Sequence, residues 1–484
     1  MPASNPNDAL RARASSLSSD IEKLQLRTQS DTLSTNQALN DLLTARAAVQ
    51  AKLDAITYEI WTLPAEIVAQ VFCWTLVPSR SQPKSTPRKE PWRLGQICRV
   101  WREIALSTPE LWNTIEISTG PHISDHYGER IRTILSRAAS LPLAISFTLD
   151  DQCNFITDYT STISHFLTTI VPHSHTWEDI DLSSITPASL DALQLVHHQL
   201  PLLKFLVLAL RTRPHDGKLS AVFNDAPLLR KVHLSNFGSQ PFALPWAQLT
   251  SLDVSNCYGT EVAEILGWTP ALVNLNIGVI WSPIPPLPPL PHLRSLVFGN
   301  GSLLSLQSDL LSRLDVPLRR LKIAVAPFWL AHPASLEELS VAIELQLKRW
   351  TGPLLLEGLT STSALRTLKI TVHNYEPTPT TFSLDPLIHR LTHDPGFLSG
   401  LESLTIIILE QPSSEHPPFN SIILSCMLGA RCHSRGGALR YFELRSRRDL
   451  PVLDLQVVEL VGSGTEIVLV TDPDLAFDLW STEF

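Results

Sequence analysis

The chain has 484 residues, of which 44% are hydrophobic and 18% charged, a balance that predicts two or more folded domains rather than disorder. Its 47 acidic side chains outnumber its 38 basic ones, and the net charge of −9 argues against nucleic acid or an anionic membrane as a partner. The six cysteines form no CxxC pair, and no apolar run reaches the roughly 18 residues of a membrane span, so we expect a soluble protein of the cytoplasm or nucleus.

The N-terminal segment, residues 1–57, is predicted to form one long helix. No proline or glycine occurs between Asp8 and Thr57, and apolar residues keep a spacing of three and four: Leu10, Leu17, Ile21, Leu24, Leu39, Leu42, Ala45, Val49 and Leu53. The pattern weakens between Thr28 and Thr35. Two interpretations stay open, a helix that caps the next domain and a coiled coil that dimerises the chain.

A second helix is predicted to begin near Leu63. Apolar residues recur there at four-residue steps or beside them: Leu63, Ile67, Val71, Phe72 and Leu76. Pro64 suits the first helical turn, where a missing N–H costs nothing, and Glu66 complements the positive end of the helix dipole. The segment therefore predicts an amphipathic helix with one apolar stripe.

Two further helical elements are predicted after a proline-rich loop, residues 78–92. An amphipathic helix is indicated by the spacing of Leu94, Ile97, Cys98, Trp101, Ile104 and Ala105. Thr108, Pro109 and Glu110 are typical of an N-cap and first turn, which opens a short helix carrying Leu111 and Trp112. Three such short helices make a very small core, so we expect their apolar stripe to be buried against another protein.

This segment resembles the F-box, and the leucine-spaced helix that runs into Tyr58 is similar to the arrangement in fungal F-box-like proteins. The matching positions are Leu63-Pro64, Glu66-Ile67, Phe72, Leu76, Cys98-Arg99, Trp101-Arg102, Ile104-Ala105 and Leu111-Trp112. The resemblance implies an F-box-like domain over residues 58–118 that binds a Skp-type adaptor and, through it, a cullin. The adaptor-binding residues it implies are Leu63, Pro64, Ile67, Phe72, Leu76, Leu94, Trp101 and Trp112. Internal packing of Ile67 or Trp101 is the alternative.

The remaining residues, 119–484, contain a repeated LxxLxL pattern with other apolar residues allowed. Ten copies begin at Leu203, Leu229, Leu249, Leu272, Leu293, Leu318, Leu336, Leu365, Leu401 and Leu439, and WEDIDL at Trp177 is a degenerate eleventh. The spacing resembles that of leucine-rich repeats. We therefore predict an α/β solenoid, an irregular leucine-rich-repeat arc with a parallel sheet, because each copy buries its apolar face only against its neighbours.

Strand alternation places one residue of each copy, the one between its last two apolar residues, on the concave face of this arc. These residues form the central row: Val207, His233, Asp253, Asn276, Val297, Lys322, Ser340, Lys369, Thr405 and Glu443. The mixed charges suggest an unknown protein target, for which the candidate residues are His233, Asp253, Asn276, Lys322, Lys369 and Glu443. A C-terminal segment with Leu475, Phe477 and Trp480 is predicted to cap the array.

Nothing in the sequence predicts catalysis, a cofactor or a metal. The GxSxG, HExxH and Walker motifs do not occur, and the spacing of Cys426, Cys432 and His433, with His416 upstream, matches no zinc site. The proline-rich stretch PIPPLPPLP, residues 283–291, has two readings, a polyproline ligand or an extended connection between strands. Its position between two copies favours the connection.

The resemblances together predict a substrate-recognition subunit of a cullin-based (SCF-type) ubiquitin ligase, which is not itself an enzyme and which bridges the adaptor and a protein target. The alternative is a leucine-rich-repeat scaffold for protein binding that has no ligase role.

Overall fold

The computed structural model describes sixteen stretches of the chain. They are residues 12–21, 33–54, 63–76, 91–119, 127–149, 159–196, 200–213, 221–238, 243–299, 304–323, 330–344, 352–373, 383–409, 419–433, 438–446 and 466–471. The chain divides between Thr108 and Pro109 into two compact units, a helical unit and a sheet unit. Trp112 therefore belongs to the second unit, although we predicted that the first domain extends to residue 118.

The helical unit comprises the described residues of Met1–Pro78 and Arg88–Thr108. Its helices are α1 (residues 12–21), α2 (Leu33–Asp54), α3 (Ala65–Leu76), α4 (Leu94–Ile97) and α5 (Arg99–Leu106). In α2 the predicted stripe is the least exposed face, since Leu39, Leu42 and Ala45 are half-buried and Val49 is buried. The predicted continuity of α1 with α2, and most of the predicted loop, fall outside the described residues.

The helix predicted from Leu94 to Ala105 is broken at Cys98. This residue has an extended backbone, with φ −156° and ψ 171°, and it separates α4 from α5. Its thiol accepts a hydrogen bond from the backbone N–H of Trp101 at 3.4 Å, and thus caps α5. The guanidinium of Arg102 joins the two pieces by donating from Nε to the carbonyl of Gly95 at 2.7 Å.

The sheet unit begins at Pro109, and its described residues form one open sheet of 14 parallel strands in strict chain order. The strands are β1 (Thr114–Thr119), β2 (Leu143–Leu149), β3 (Trp177–Ile185), β4 (Phe205–Leu210), β5 (Lys231–Ser235), β6 (Ser251–Ser255), β7 (Asn274–Ile277), β8 (Ser295–Phe298), β9 (Arg320–Ile323), β10 (Glu338–Glu344), β11 (Thr367–His373), β12 (Ser403–Leu409), β13 (Tyr441–Ser446) and β14 (Glu466–Thr471). The predicted parallel, solenoid-like α/β arrangement is thereby confirmed.

A buried residue opens each repeat one turn before its strand. The first leucine of every LxxLxL copy is at most 5% exposed. In seven copies the N–H of this leucine donates to the carbonyl three residues earlier, at 3.0–3.3 Å, as Leu229 does to Ala226. Trp112 makes the same bond to Pro109 at 2.9 Å. In these copies a local turn is therefore closed before the strand joins the sheet.

The connections between strands vary more than the strands do. The described helices among them are α6 (Tyr127–Ala138), α7 (Tyr159–Ile170), α8 (Gly259–Trp268), α9 (Leu304–Arg313), α10 (Gly352–Thr360), α11 (Asp385–His393) and α12 (Ser421–His433). Other connections are less regular, as in the 3₁₀ helix Pro187–Val196 between β3 and β4. None of the described helices has both the length and the apolar character to cross a membrane. The predicted C-terminal cap lies outside the described residues.

Candidate functional site

Helix α3 presents apolar side chains on two different faces. Val68 and Phe72 point inward and are buried. Ile67, Val71 and Trp74 recur at steps of four and three on a neighbouring face, where Ile67 is 45% exposed, Val71 is half-buried and Trp74 is 79% exposed. An isolated exposed apolar residue is ordinary, but a column of three on one helix indicates a surface that gains from being covered. We call these three residues the outer column.

The two helices that follow carry further exposed apolar side chains. Eleven large hydrophobic residues are exposed in the described chain, and five of them belong to the helical unit: Ile67, Trp74, Ile97, Val100 and Leu106. Only Ile67 of these is a predicted adaptor residue, and Ile97 belongs to the predicted apolar stripe of the second helix, whereas Trp74, Val100 and Leu106 lie outside both predictions. The spacing of Ile67 and Trp74, seven residues apart, was the signal that could have found the outer column.

The predicted adaptor residues divide between the surface and the interior. Pro64 is exposed, and its carbonyl accepts hydrogen bonds at 3.0 and 3.1 Å from the N–H groups that open α3. Leu63 is half-buried, whereas Leu94 is 8% exposed. The side chain of Leu76, at the end of α3, falls outside the described part.

Two predicted adaptor residues serve the interior of the helical unit. The rings of Phe72 and Trp101 lie 4.8 Å apart between centroids and are inclined by 60°. This tilted aromatic contact fastens α3 to α5. Phe72 and Trp101 therefore contribute to the internal packing of the helical unit, which for Trp101 is the alternative role stated above.

Trp112 lies at the first position of the first repeat, and its ring is 2% exposed. In each LxxLxL copy the first position lies four residues before the residue of the central row. Trp112 lies four residues before Glu116 of β1, just as the buried Trp177 lies four residues before Asp181 of β3. The guanidinium of Arg137 stacks over the Trp112 ring at 4.4 Å. Trp112 is thus a core residue of the sheet unit rather than part of an exposed surface. Thr108, predicted as an N-cap, instead donates its hydroxyl back to Ile104 at 2.7 Å.

The register of the strands confirms that the predicted residues of the central row lie side by side on one face of the sheet. From β4 to β13 its ten predicted residues are direct partners across neighbouring strands. The strand of the degenerate copy, β3, extends it with Asp181, and the unpredicted strands β1, β2 and β14 extend it with Glu116, Ser146 and Val468. One face of the sheet therefore carries a continuous line of side chains, one from each repeat.

A polar cluster occupies this row at β5, β6 and β7. The carboxylate of Asp253 accepts a hydrogen bond from Nδ2 of Asn276 at 2.8 Å, and the same oxygen lies 3.0 Å from Nδ1 of His233. The side chains of His233 and Asp253 keep 28% and 21% of their surface exposed. The three predicted residues are thus brought together and remain partly accessible.

The predicted target-binding charges outside this cluster are less accessible. Lys322 and Glu443 are 9% and 7% exposed, while Lys369 is half-buried. Glu443 forms an ion pair with Arg445, two residues along the same strand and therefore on the same face. Because a buried charge offers little surface to a partner, Lys322 and Glu443 are poorly placed for the direct contact that we predicted.

A second cluster, not predicted from sequence, follows the carboxyl ends of β4, β6 and β7. The guanidinium of Arg213 lies over the rings of Tyr258 and Trp281, at 4.5 and 5.1 Å from their centroids, and pairs with the buried carboxylate of Glu261. Glu261 also accepts a hydrogen bond from the N–H of Tyr258 at 2.9 Å, which caps α8. Burial, followed by the charge of Glu261, raises the pKa of the neighbouring Cys257 thiol to about 12.

The comparisons with known proteins add no family to these observations. No model of a known protein family matches the chain, and no curated protein matches it significantly. Within the described residues, no group of three or more histidine, cysteine or acidic side chains is arranged to hold a metal ion. The outer column of α3 and the polar cluster of the central row are therefore the basis for a functional proposal.

Proposed function

We propose that the chain is a substrate-recognition subunit of a cullin-based ubiquitin ligase. In this proposal the helical unit binds a Skp-type adaptor, as its resemblance to the F-box implies, and the sheet unit binds a protein target. The chain would act by holding its target near the ligase, so the transfer chemistry belongs to the partner enzymes.

The observation that carries the proposal is the outer column of α3. Ile67 and Trp74 remain exposed although Val68 and Phe72 of the same helix are buried, so the internal core of the unit does not need them. Completing the burial of a large apolar side chain contributes roughly 1.5–3 kcal/mol. For the half-covered Ile67 and the exposed Trp74 we expect about 1 and about 2 kcal/mol toward adaptor binding.

The target-binding half of the proposal is supported by the polar cluster of the central row. His233, Asp253 and Asn276 present one imidazole, one carboxylate and one amide that already hold each other in place. Fixed polar groups on a rigid sheet lose little freedom when a partner binds. This favours a protein target that offers both donors and acceptors.

The test measures the affinity of the full-length chain for a purified Skp-type adaptor by biolayer interferometry. The double substitution Ile67→Ser and Trp74→Ser is expected to weaken binding by about 100-fold, which corresponds to the roughly 3 kcal/mol above. The matched control is Ile422→Ser, since Ile422 of α12 is 67% exposed but belongs to the sheet unit. That variant is expected to bind the adaptor like the wild type.

Equal adaptor affinity of the wild type and the double variant, or no adaptor binding by the folded wild type, would refute the proposal. Circular dichroism of all three proteins verifies that the exposed substitutions leave the helices intact. A negative result would favour the alternative function, a protein-binding scaffold without a ligase role.

A further inference from the structure

The connection between β7 and β8 contains a segment of unusual composition. Six of the nine residues from Pro283 to Pro291 are proline, so only Ile284, Leu287 and Leu290 have an N–H group. Within the described chain none of these three groups donates a backbone hydrogen bond, and the segment belongs to neither a helix nor a strand. Such a sequence favours the polyproline II helix, which has three residues per turn and no internal hydrogen bonds.

The burial of the segment repeats every three residues. Ile284 and Leu290 are 4% and 2% exposed, and Leu287 between them is half-buried, so one edge of the segment faces the core. A second edge is exposed at all three of its positions: Pro283, Pro286 and Pro289. On the third edge two prolines are half-buried and one is exposed: Pro285, Pro288 and Pro291. This period matches a polyproline II helix lying on the sheet unit along one edge.

Contacts at both ends of the segment fix its position. The backbone of Pro283 lies so close to Gly259 that a Cβ atom there would be 2.2 Å from the Pro283 carbonyl oxygen. The carbonyl of Ile284 accepts a hydrogen bond from Nη1 of Arg313 at 3.4 Å, and the carbonyl of Leu290 accepts one from the N–H of Leu293 at 3.1 Å. The exposed prolines are therefore displayed by an anchored segment.

We propose that Pro283–Pro291 is a docking ridge for a proline-recognition domain of the WW or SH3 class. Such domains hold a polyproline II ligand in an aromatic-lined groove and need no backbone hydrogen-bond ladder from it. A groove that embraces a three-sided helix contacts two neighbouring edges and leaves the third free. Here one all-proline edge is exposed along its whole length and the other is partly exposed, while the aliphatic edge is anchored to the chain's own core.

The anchoring also predicts how tightly the ridge binds. A free proline-rich peptide must lose some freedom when it enters the groove, whereas this segment is already ordered by its fold. The folded chain is therefore expected to bind at least as tightly as a peptide of the same sequence. This inference is independent of the ligase proposal, because it uses neither the outer column nor the polar cluster.

The experiment begins with a synthetic PIPPLPPLP peptide and a panel of isolated WW and SH3 domains, from which a domain that binds the peptide is chosen. Its affinity for the full-length chain is then measured by biolayer interferometry. The ridge variant, Pro286→Ala with Pro289→Ala, is expected to bind at least 10-fold more weakly. The control variant, Pro270→Ala with Pro317→Ala, changes exposed prolines outside the ridge and is expected to leave the affinity unchanged.

Three results would each overturn the inference. They are a panel in which no domain binds the peptide, a peptide-binding domain that does not bind the folded chain, and a ridge variant with wild-type affinity. Competition provides a second measurement, since excess peptide must displace the full-length chain from the domain. Folding of the variants is verified by their circular dichroism.

Discussion

Two glycines of α8 are expected to respond in opposite directions to the same substitution. At Gly259 an added Cβ would lie 2.2 Å from the Pro283 oxygen and 2.7 Å from the Ile284 Cα, so the backbone must move by about 1 Å to reach ordinary contact. At Gly267 an added Cβ meets nothing within 4 Å. The pair therefore separates the effect of close packing from the general effect of alanine in a helix.

The magnitudes follow from these contacts. Overpacking of backbone costs roughly 1–3 kcal/mol, and loss of the 2.9 Å hydrogen bond from the Gly259 N–H to the Ser282 hydroxyl costs about 1 kcal/mol. Alanine in place of glycine returns about 0.5–1 kcal/mol at either site. Gly259→Ala should therefore lower the free energy of unfolding by about 1–3 kcal/mol, and Gly267→Ala should raise it by about 0.5–1 kcal/mol.

Urea denaturation followed by tryptophan fluorescence measures both effects as shifts of the midpoint. The expected order of midpoints is Gly267→Ala above wild type and Gly259→Ala below it. A Gly259→Ala variant as stable as the wild type, beside a stabilised Gly267→Ala variant, would refute the close approach of the proline segment to α8.

Three further predictions concern single side chains. Arg431→Met should lower the free energy of unfolding by about 2–4 kcal/mol in urea denaturation, because the guanidinium donates to the carbonyls of Leu391 at 2.6 Å and Phe397 at 2.7 Å; an unchanged midpoint would contradict this. Since the pKa of Cys257 is raised to about 12, about one Cys257 thiol in ten thousand is ionised at pH 8. Iodoacetamide should therefore modify the exposed Cys426 but not Cys257, and equal modification of the two, measured by mass spectrometry, would contradict this. Burial, and then the neighbouring His175, lowers the pKa of His173, so the unfolded chain binds a proton at this histidine more readily than the folded chain does. The stability of the wild type should therefore fall as the pH drops below about 6.5. The melting temperature of His173→Gln should fall less between pH 7 and pH 5, and an equal fall in both proteins would contradict this.

The strands from β4 to β13 could be predicted because each satisfies two local rules at once. Leu252 and Val254, for example, alternate with Asp253, and Leu249 lies buried one turn earlier. Such a pattern fixes which residues face the core wherever neighbouring copies pair in register. The pairing of Asp253 with His233 and Asn276 follows directly from it.

The first two strands were missed because their first repeat position holds a different residue. That position is Trp112 for β1 and Pro142 for β2, and neither residue fits the leucine of the LxxLxL pattern. The F-box resemblance placed Trp112 in the helical domain because a tryptophan after a helical turn fits its pattern, whereas the contacts of the chain place it in the sheet unit. The aromatic residue Trp177, at the first position of β3, was the available clue.

Other features depend on particular side-chain contacts that the apolar periodicity does not contain. The break at Cys98 contains neither proline nor glycine and is stabilised by a thiol cap and by the bond from Arg102 to Gly95. The burial of Lys322 and Glu443 depends on neighbours distant in sequence, as does the packing of Arg213 over the rings of Tyr258 and Trp281. Periodicity identifies the face of an element, but it does not show how much of that face stays exposed.

In seven copies the closed turn and the strand that follows it form one structural unit of the sheet. Because strand order equals chain order, removing the stretch between two equivalent leucines, such as Leu229 and Leu249, joins surfaces that already match. The array can thus become longer or shorter in evolution by gain or loss of whole repeats, with no change in the connections between the other strands. The same strand order lets the sheet unfold locally from either edge, one strand at a time, so the stability of its edge strands governs its resistance to proteases.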